Sequence, residues 1–266
     1  MPPLRTALLQ GPRGVPGSVA QSLAALDDAA GRAAAQGAGL LVTSELFLTG
    51  YALGDRMAEA AEPAGGPADR AVAELAARHR LAIAYGLPER EGGAVYNTVR
   101  LVGPGGEALA SYRKTHLFGD YERGVFTPGT EPVVQATLDG VRIGLLVCYD
   151  VEFPEPVRAH ALAGTELLVV PTALMRPYEI VPRTIVPARA YENGIHIAYV
   201  NRCGPEGAYD FAGLSCLAGP DGVVRARAGS GPELLVADAL PEALRAARDE
   251  TPYLADRRPE LYRSLG

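Results

Sequence analysis

The sequence predicts an α/β protein whose sheet is covered on both faces, and three observations predict it. Short apolar runs alternate with Ala-rich stretches of helical period along most of the chain. Runs such as "LLVTSE" at 40–45 and "TELLVVPTA" at 165–173 are apolar almost throughout, as strands buried on both faces are. No linker, repeat or low-complexity tract divides the 266 residues, so a single domain over 1–266 is expected.

The elements follow in order. "RTALLQ" at 5–10 reads as a strand, and 18–39 as an Ala-rich helix closed by glycine. The strand at 40–45 completes a β-α-β opening, which helix 67–80 and strand 81–88 continue. Strands at 94–103 and 108–114 flank "GPGGE" at 103–107, a hairpin turn rather than a phosphate cradle. "GVRIGLLVCYD" at 140–150 is a strand, and 153–164 is a helix opened by proline. Strand 165–173, a helix at 180–194, strand "HIAYVNR" and strands within 212–229 complete the expected set.

Composition excludes several classes of function. A net charge of -6 with no clustered basic face argues against a nucleic-acid partner. No apolar stretch approaches the ~18 residues of a membrane span, and the N-terminus lacks the long apolar region of a signal peptide, so no membrane partner and a cytoplasmic location are expected. Cys148, Cys203 and Cys216 have neither disulfide-framework nor zinc spacing, and His79, His160 and His196 have no metal spacing.

Polar residues stand out where the buried runs end, which is where α/β proteins bind ligands. Glu45 ends "LLVTSE", Lys114 ends "ALASYRK" and Cys148 ends "RIGLLVC". Taken singly, such a cysteine is a core residue, such a glutamate a cap and such a lysine a surface charge. Together they supply what amide cleavage needs. A thiol attacks as thiolate and wants a base or positive field beside it, which Glu45 and Lys114 can provide. The oxyanion wants fixed donors, and the Lys114 ammonium and the Tyr149 backbone N–H suit that place. Glu45 would then protonate departing ammonia and activate water. Asp150 and Glu152 read as braces of the turn into the next helix, and Arg158 as a partner for one of them. His116 beside Lys114 raises a Cys–His pair as the competing arrangement. "GLSCL" at 213–217 lacks the second glycine of a serine-hydrolase elbow.

"SELFLTGY" at 44–51, "YRKTHLF" at 112–118 and "LLVCYDVEFPEPVR" at 145–158 resemble the Glu, Lys and Cys motifs of the nitrilase superfamily of carbon-nitrogen hydrolases, in that family's order. "GDYERGVFTPG" at 119–129, "PARAYENGIHIAYVNRCG" at 187–204 and "FAGLSCLAGPDG" at 211–222 extend the resemblance over nearly the whole chain. It implies Cys148 as nucleophile, Glu45 as general base, Lys114 as oxyanion-stabilising cation and Glu122 as the second glutamate that holds lysine or substrate. It also implies an α-β-β-α sandwich, a homodimer or higher homo-oligomer paired over helices outside one sheet, and site support from Arg189, Glu192 and Asn193. The scheme requires no cofactor and no metal.

Nitrilases of the superfamily typically carry Cys-Trp-Glu, whereas this chain has Cys148-Tyr149-Asp150 and no tryptophan. That difference, with "PTALMRPYE" at 171–179, resembles the amidase branch acting on small aliphatic or omega-amino amides. Leu174, Met175 and Tyr178 are the expected substrate-binding walls. Asp120, Glu152 or Glu179 would suit an ammonium on the substrate, and Arg176 a carboxylate. N-carbamoyl hydrolysis and omega-amidase activity are the alternatives within the superfamily, and a non-catalytic scaffold the alternative outside it.

Overall fold

The computed structural model describes residues 3–262; the outermost residues of the expected single domain, 1–2 and 263–266, lie outside the described residues. The first half of the chain gives β1 (Leu4–Gln10), α1 (Val19–Ala35), β2 (Leu40–Val42), α2 (Met57–Ala60), α3 (Pro67–His79), β3 (Ala82–Glu91), β4 (Ala94–Val102), β5 (Ala108–Arg113) and α4 (Gly119–Val125). The second gives β6 (Gln135–Leu138), β7 (Val141–Leu145), α5 (Pro154–Leu162), β8 (Leu167–Thr172), α6 (Val186–Asn193), β9 (His196–Asn201), β10 (Cys203–Glu206), β11 (Tyr209–Ala212), β12 (Cys216–Ala218), β13 (Val224–Arg227), β14 (Glu233–Ala239), α7 (Pro241–Glu250) and α8 (Tyr253–Asp256).

The strands form two six-stranded sheets, ordered β14-β1-β2-β3-β4-β5 and β13-β12-β9-β8-β7-β6, with β10 and β11 as a separate ribbon. Each sheet has three parallel strands at its centre, β1-β2-β3 and β7-β8-β9, flanked by antiparallel ones. Period-two alternation sorts the first sheet's residues onto two faces. Leu4, Leu8, Leu40, Val42, Ala82, Ala84, Val99 and Leu101 share a core with Ile143, Leu145, Leu168 and Val170 of the second sheet. Ala7, Leu9, Leu41, Ile83, Tyr85 and Leu87 pack instead on Leu26, Ala29, Ala30 and Ala33 of α1 and on Val72, Leu75 and Ala76 of α3. Val157 and Ala161 of α5, with Val186 and Ala190 of α6, join the second sheet's apolar cluster. The arrangement is the α-β-β-α sandwich, which corrects the plain reading of one sheet with helices on both faces.

Local chemistry explains where the elements stop. Helix α1 is capped by Ser18, whose side chain accepts from the Gln21 N–H, and it ends at Ala35, two residues before Gly37. There the left-handed Gly37 (φ +75°) lets its own N–H reach Ala34 C=O and the Ala38 N–H reach Ala33 C=O. The helix expected over 180–194 begins as a π turn, Val181–Ile185, before α6. Val186 N–H donates five residues back to Val181, and Pro187 has no N–H with which to restore the tighter register. Among the described residues no helix is long and apolar enough to cross a membrane.

Candidate active site

The three sheet ends deliver their side chains through short excursions beyond the strands. β2 stops at Val42, short of the expected Glu45, because the chain leaves its own sheet: Glu45 N–H donates to Thr172 C=O at the end of β8, 3.3 Å away. Gly86 makes this crossing possible. A Cβ there would stand 2.5 Å from Leu46 N and 2.9 Å from Ser44 O, so β3 and the 44–46 segment can approach only at a glycine. Lys114 follows β5 directly, its N–H on Asn97 C=O and its C=O on Gly129 N–H, each at 2.8 Å.

β7 stops at Leu145 rather than running to Asp150. Asp150 Oδ2 takes the Val147 N–H at 3.1 Å, ending the ladder, and Cys148 turns the chain at φ +48° into a 3₁₀ turn, Cys148–Glu152. A non-glycine residue in the left-handed region is uncommon and is held there by its surroundings. Asp150 supplies the hold: its buried carboxylate also accepts from Tyr112 OH, Thr115 OH and the His116 N–H, each at 2.9 Å. Its role as a brace is thereby visible, and His116 belongs to it, with Nδ1 2.8 Å from Asp150 Oδ1 and the ring stacked on Phe153. Arg158 makes no ion pair with Asp150 or Glu152. Arg189 does the bracing from α6, donating to the C=O groups of Val151 and Glu152 at 3.3 and 2.7 Å.

Glu45, Lys114 and Glu122 meet as a buried charge cluster. Lys114 Nζ lies 2.8 Å from Glu45 Oε1 and 2.7 Å from Glu122 Oε1, and all three side chains are at most 1% exposed. Glu122 is saturated: Tyr51 OH donates to Oε1 and the Phe118 N–H to Oε2, both at 2.8 Å. Glu45 is not. Asn97 Nδ2 joins Lys114 on its Oε1 at 2.6 Å, and among the described residues Oε2 has no partner.

Burial dominates the proton affinities. It pushes the Glu45 carboxyl above the ordinary carboxylate range, with Lys114 opposing and Glu122 adding. Burial works against the Lys114 ammonium, yet Glu45 and Glu122 overcome it and hold the group well above its usual value. Burial and then the Glu45 charge push the Cys148 thiol well up, with Lys114 opposing. Cys148 therefore rests as a thiol, and its nucleophilic use requires a proton acceptor during attack.

A cavity of about 240 Å³ opens on this cluster, lined by Cys148, Tyr149, Glu122, Tyr51, Phe118, Glu152, Ala173, Leu174, Met175 and Tyr178. Leu174, Met175 and Tyr178, expected as substrate walls, are thus brought to Cys148. Arg176 and Glu179 are not: they pair with each other at 2.7 Å, and Arg176, its side chain 45% exposed, also faces Asp210.

Sequence reasoning missed several supports. Asn97 lies mid-strand with no motif to mark it. Asn201 clamps the wall at both ends, accepting from Leu174 N–H at 2.7 Å and donating to Leu174 C=O at 3.1 Å. The buried Arg202–Glu206 pair fixes the other side, Arg202 donating to Glu45 C=O at 3.2 Å and Glu206 accepting from the Tyr51 and Ala52 N–H groups. Among the described residues no cluster of three His, Cys, Asp or Glu is placed to hold a metal ion.

Comparison with known proteins identifies the family. The carbon-nitrogen hydrolase family model matches residues 5–249. A Pseudomonas protegens protein named as the hydrolase in the pqqF 5' region is 44% identical over 230 residues, 86% of this chain and 81% of that protein. An (R)-stereoselective amidase of a Pseudomonas species is 40% identical over 220 residues, 82% of this chain and 79% of the relative. The crystal structure of an amidase from Nesterenkonia sp. superposes with a TM-score of 0.89 at 42% identity, covering 99% of this chain and 96% of that one. Other structures of that amidase carry the acetamide moiety of fluoroacetamide covalently on the active-site cysteine, or hold butyramide in a variant whose cysteine is alanine. With a fold shared end to end and a family match over nearly its whole length, the chain belongs to the carbon-nitrogen hydrolase family, within the nitrilase superfamily.

Proposed function

We propose that this hydrolase cleaves a small aliphatic primary carboxamide to carboxylate and ammonia through a thioester on Cys148. The observation that carries the proposal is the asymmetry of the two buried glutamates on Lys114. Glu122 has every oxygen engaged, whereas Glu45 Oε2 has no partner among the described residues, and its charge acts on a cysteine that needs a proton acceptor.

The steps follow from that asymmetry. Cys148 Sγ attacks the amide carbonyl carbon while its proton passes to Glu45, and the carbonyl oxygen takes the electron pair. Lys114 has three N–H donors, two of them committed to Glu45 and Glu122, so the third is available to the oxyanion. The Tyr149 N–H, in the first turn of a short helix with no intrahelical acceptor, is the second donor. Glu45 returns the proton to the amide nitrogen, the C–N bond breaks and ammonia leaves. Glu45 then takes a proton from water as it attacks the thioester, the C–S bond breaks, and the Cys148 thiolate recovers the proton.

The size of the cavity supports a small acyl chain, since about 240 Å³ lies below the range of drug-sized sites. Butyramide in the Nesterenkonia amidase and the amidase name of the Pseudomonas relative point the same way. An omega-amidase reading lacks its cation, because Arg176 is spent on Glu179 and Asp210 outside the cavity. N-carbamoyl hydrolysis would use the same residues and would release carbon dioxide with the ammonia. We also propose that protomers pair over α5, α6 and α8, where Leu162, Tyr191 and Tyr253 stay exposed; light scattering of the purified protein tests this. The activity is tested by ammonia release from butyramide, which the protein is expected to support and Cys148→Ala to abolish.

A further inference from the structure

The cavity contains one charge that the reaction does not use. Of the carboxylates that suit an ammonium-bearing substrate, Asp120 is fully exposed beside Arg123 at 3.6 Å, and Glu179 is paired with Arg176. Glu152 alone of the three lines the cavity with Cys148. Its carboxylate forms no ion pair among the described residues, because the nearby cations are engaged elsewhere. Lys114 is held by Glu45 and Glu122, and Arg189 gives its guanidinium to the Glu192 carboxylate at 3.0 Å and to backbone C=O groups.

Aromatic rings share the cavity with Glu152. Phe118 meets Tyr149 and Tyr178 edge to face, with ring centroids 5.2 and 6.1 Å apart, and all three line the cavity. A half-buried anion without a counter-ion costs free energy that a cationic ligand removes, and aromatic faces attract the same cation through their quadrupoles. A carboxylate-ended ligand would meet repulsion here. We propose that Glu152 sets specificity by accepting the ammonium of a primary amide that carries a protonated amine on its acyl chain. This assignment rests on the amidase reading of the site and adds to it the class of acyl group. Burial holds the Glu152 carboxyl above the ordinary carboxylate range, with Lys114 and Arg189 opposing, and a bound ammonium would favour its ionised form.

The test compares kcat/KM for 5-aminopentanamide and for hexanamide, in which a methyl group replaces the ammonium, with butyramide as the reference amide. The wild-type protein is expected to prefer the ammonium-bearing amide, and Glu152→Gln to lower that preference about ten- to a hundredfold, as loss of a charged hydrogen-bond acceptor does. Glu152→Asp keeps the charge on a side chain one methylene shorter and is expected to move the optimum toward 6-aminohexanamide. Butyramide and hexanamide turnover with no ammonium preference, or a preference untouched in both variants, overturns the role of Glu152 and leaves the amidase reading standing. Turnover of none of these amides removes that reading and the assignment together.

Discussion

Asn97 Nδ2 donates to Glu45 Oε1 at 2.6 Å, the same oxygen that Lys114 holds, which leaves Oε2 as the oxygen without a partner among the described residues. That hydrogen bond lowers the proton affinity of Glu45, which burial has raised. In the proposed mechanism Glu45 has to be ionised to accept the Cys148 proton, so activity is expected to fall as pH drops through its titration. Asn97→Ala removes an opposing influence and is expected to move the acid limb of kcat/KM upward. An unshifted limb, measured on butyramide from acid to neutral pH, would show that Asn97 does not act through Glu45.

Glu45→Gln keeps the volume and one hydrogen-bonding oxygen but cannot take a proton. A fall in kcat of roughly 10²- to 10⁴-fold is expected, the usual worth of a general base. Near-normal turnover would mean that another group accepts the proton.

Lys114→Met removes the proposed oxyanion donor and leaves two buried carboxyls facing each other, so one of them is expected to bind a proton. The expected kinetic signature is a kcat lowered roughly 10²- to 10³-fold with KM little changed. A rise confined to KM would assign Lys114 to ground-state binding instead.

Gly86 carries no functional group, yet its replacement should damage the site. Gly86→Ala would place a methyl 2.5 Å from Leu46 N, and backbone must shift to accept it. Loss of at least tenfold in kcat/KM is expected while the far-UV spectrum is kept. Full activity would show that the 44–46 segment tolerates displacement.

Stability should carry a pH signature of its own. Burial lowers His160 to about 4 from 6.5, its ring held by Thr165. The unfolded chain takes this proton near 6.5 and the folded chain only near 4, so the unfolded state binds more protons across that window. The contribution is complete above the upper value and declines by about 3 kcal/mol as pH falls to the lower one. Urea midpoints should drop over this range in the wild-type protein and drop less in His160→Gln.

The legible part of the sequence was the part written in buried runs and motifs. Central strands announce themselves because both faces are apolar, and the Glu45 and Cys148 motifs lie just beyond two of them, while Lys114 follows the edge strand β5. Edge and return elements carry weaker signals: β6 is four residues long, β14 "ELLVADA" is only half-buried, and α4 "GDYERGV" lacks an apolar stripe. The second sheet could not be read from local pattern, because a strand buried against another sheet looks like one buried against a helix. At the site, the hydrogen bonds of Asn97, Asn201 and Arg202 join residues far apart in the chain, and no periodicity or spacing encodes such pairings. Arg176 and Glu179 failed to reach the cavity for the converse reason: three residues apart, they satisfy each other at the surface.

The thioester on Cys148 is tested most directly by turning over butyramide in the presence of hydroxylamine. Purified protein is expected to release ammonia and to form butyrohydroxamate, the product of hydroxylamine attack on an acyl-cysteine, with both products absent for Cys148→Ala. Ammonia release by Cys148→Ala, or turnover by the wild-type protein with no hydroxamate at saturating hydroxylamine, would contradict covalent catalysis at this residue.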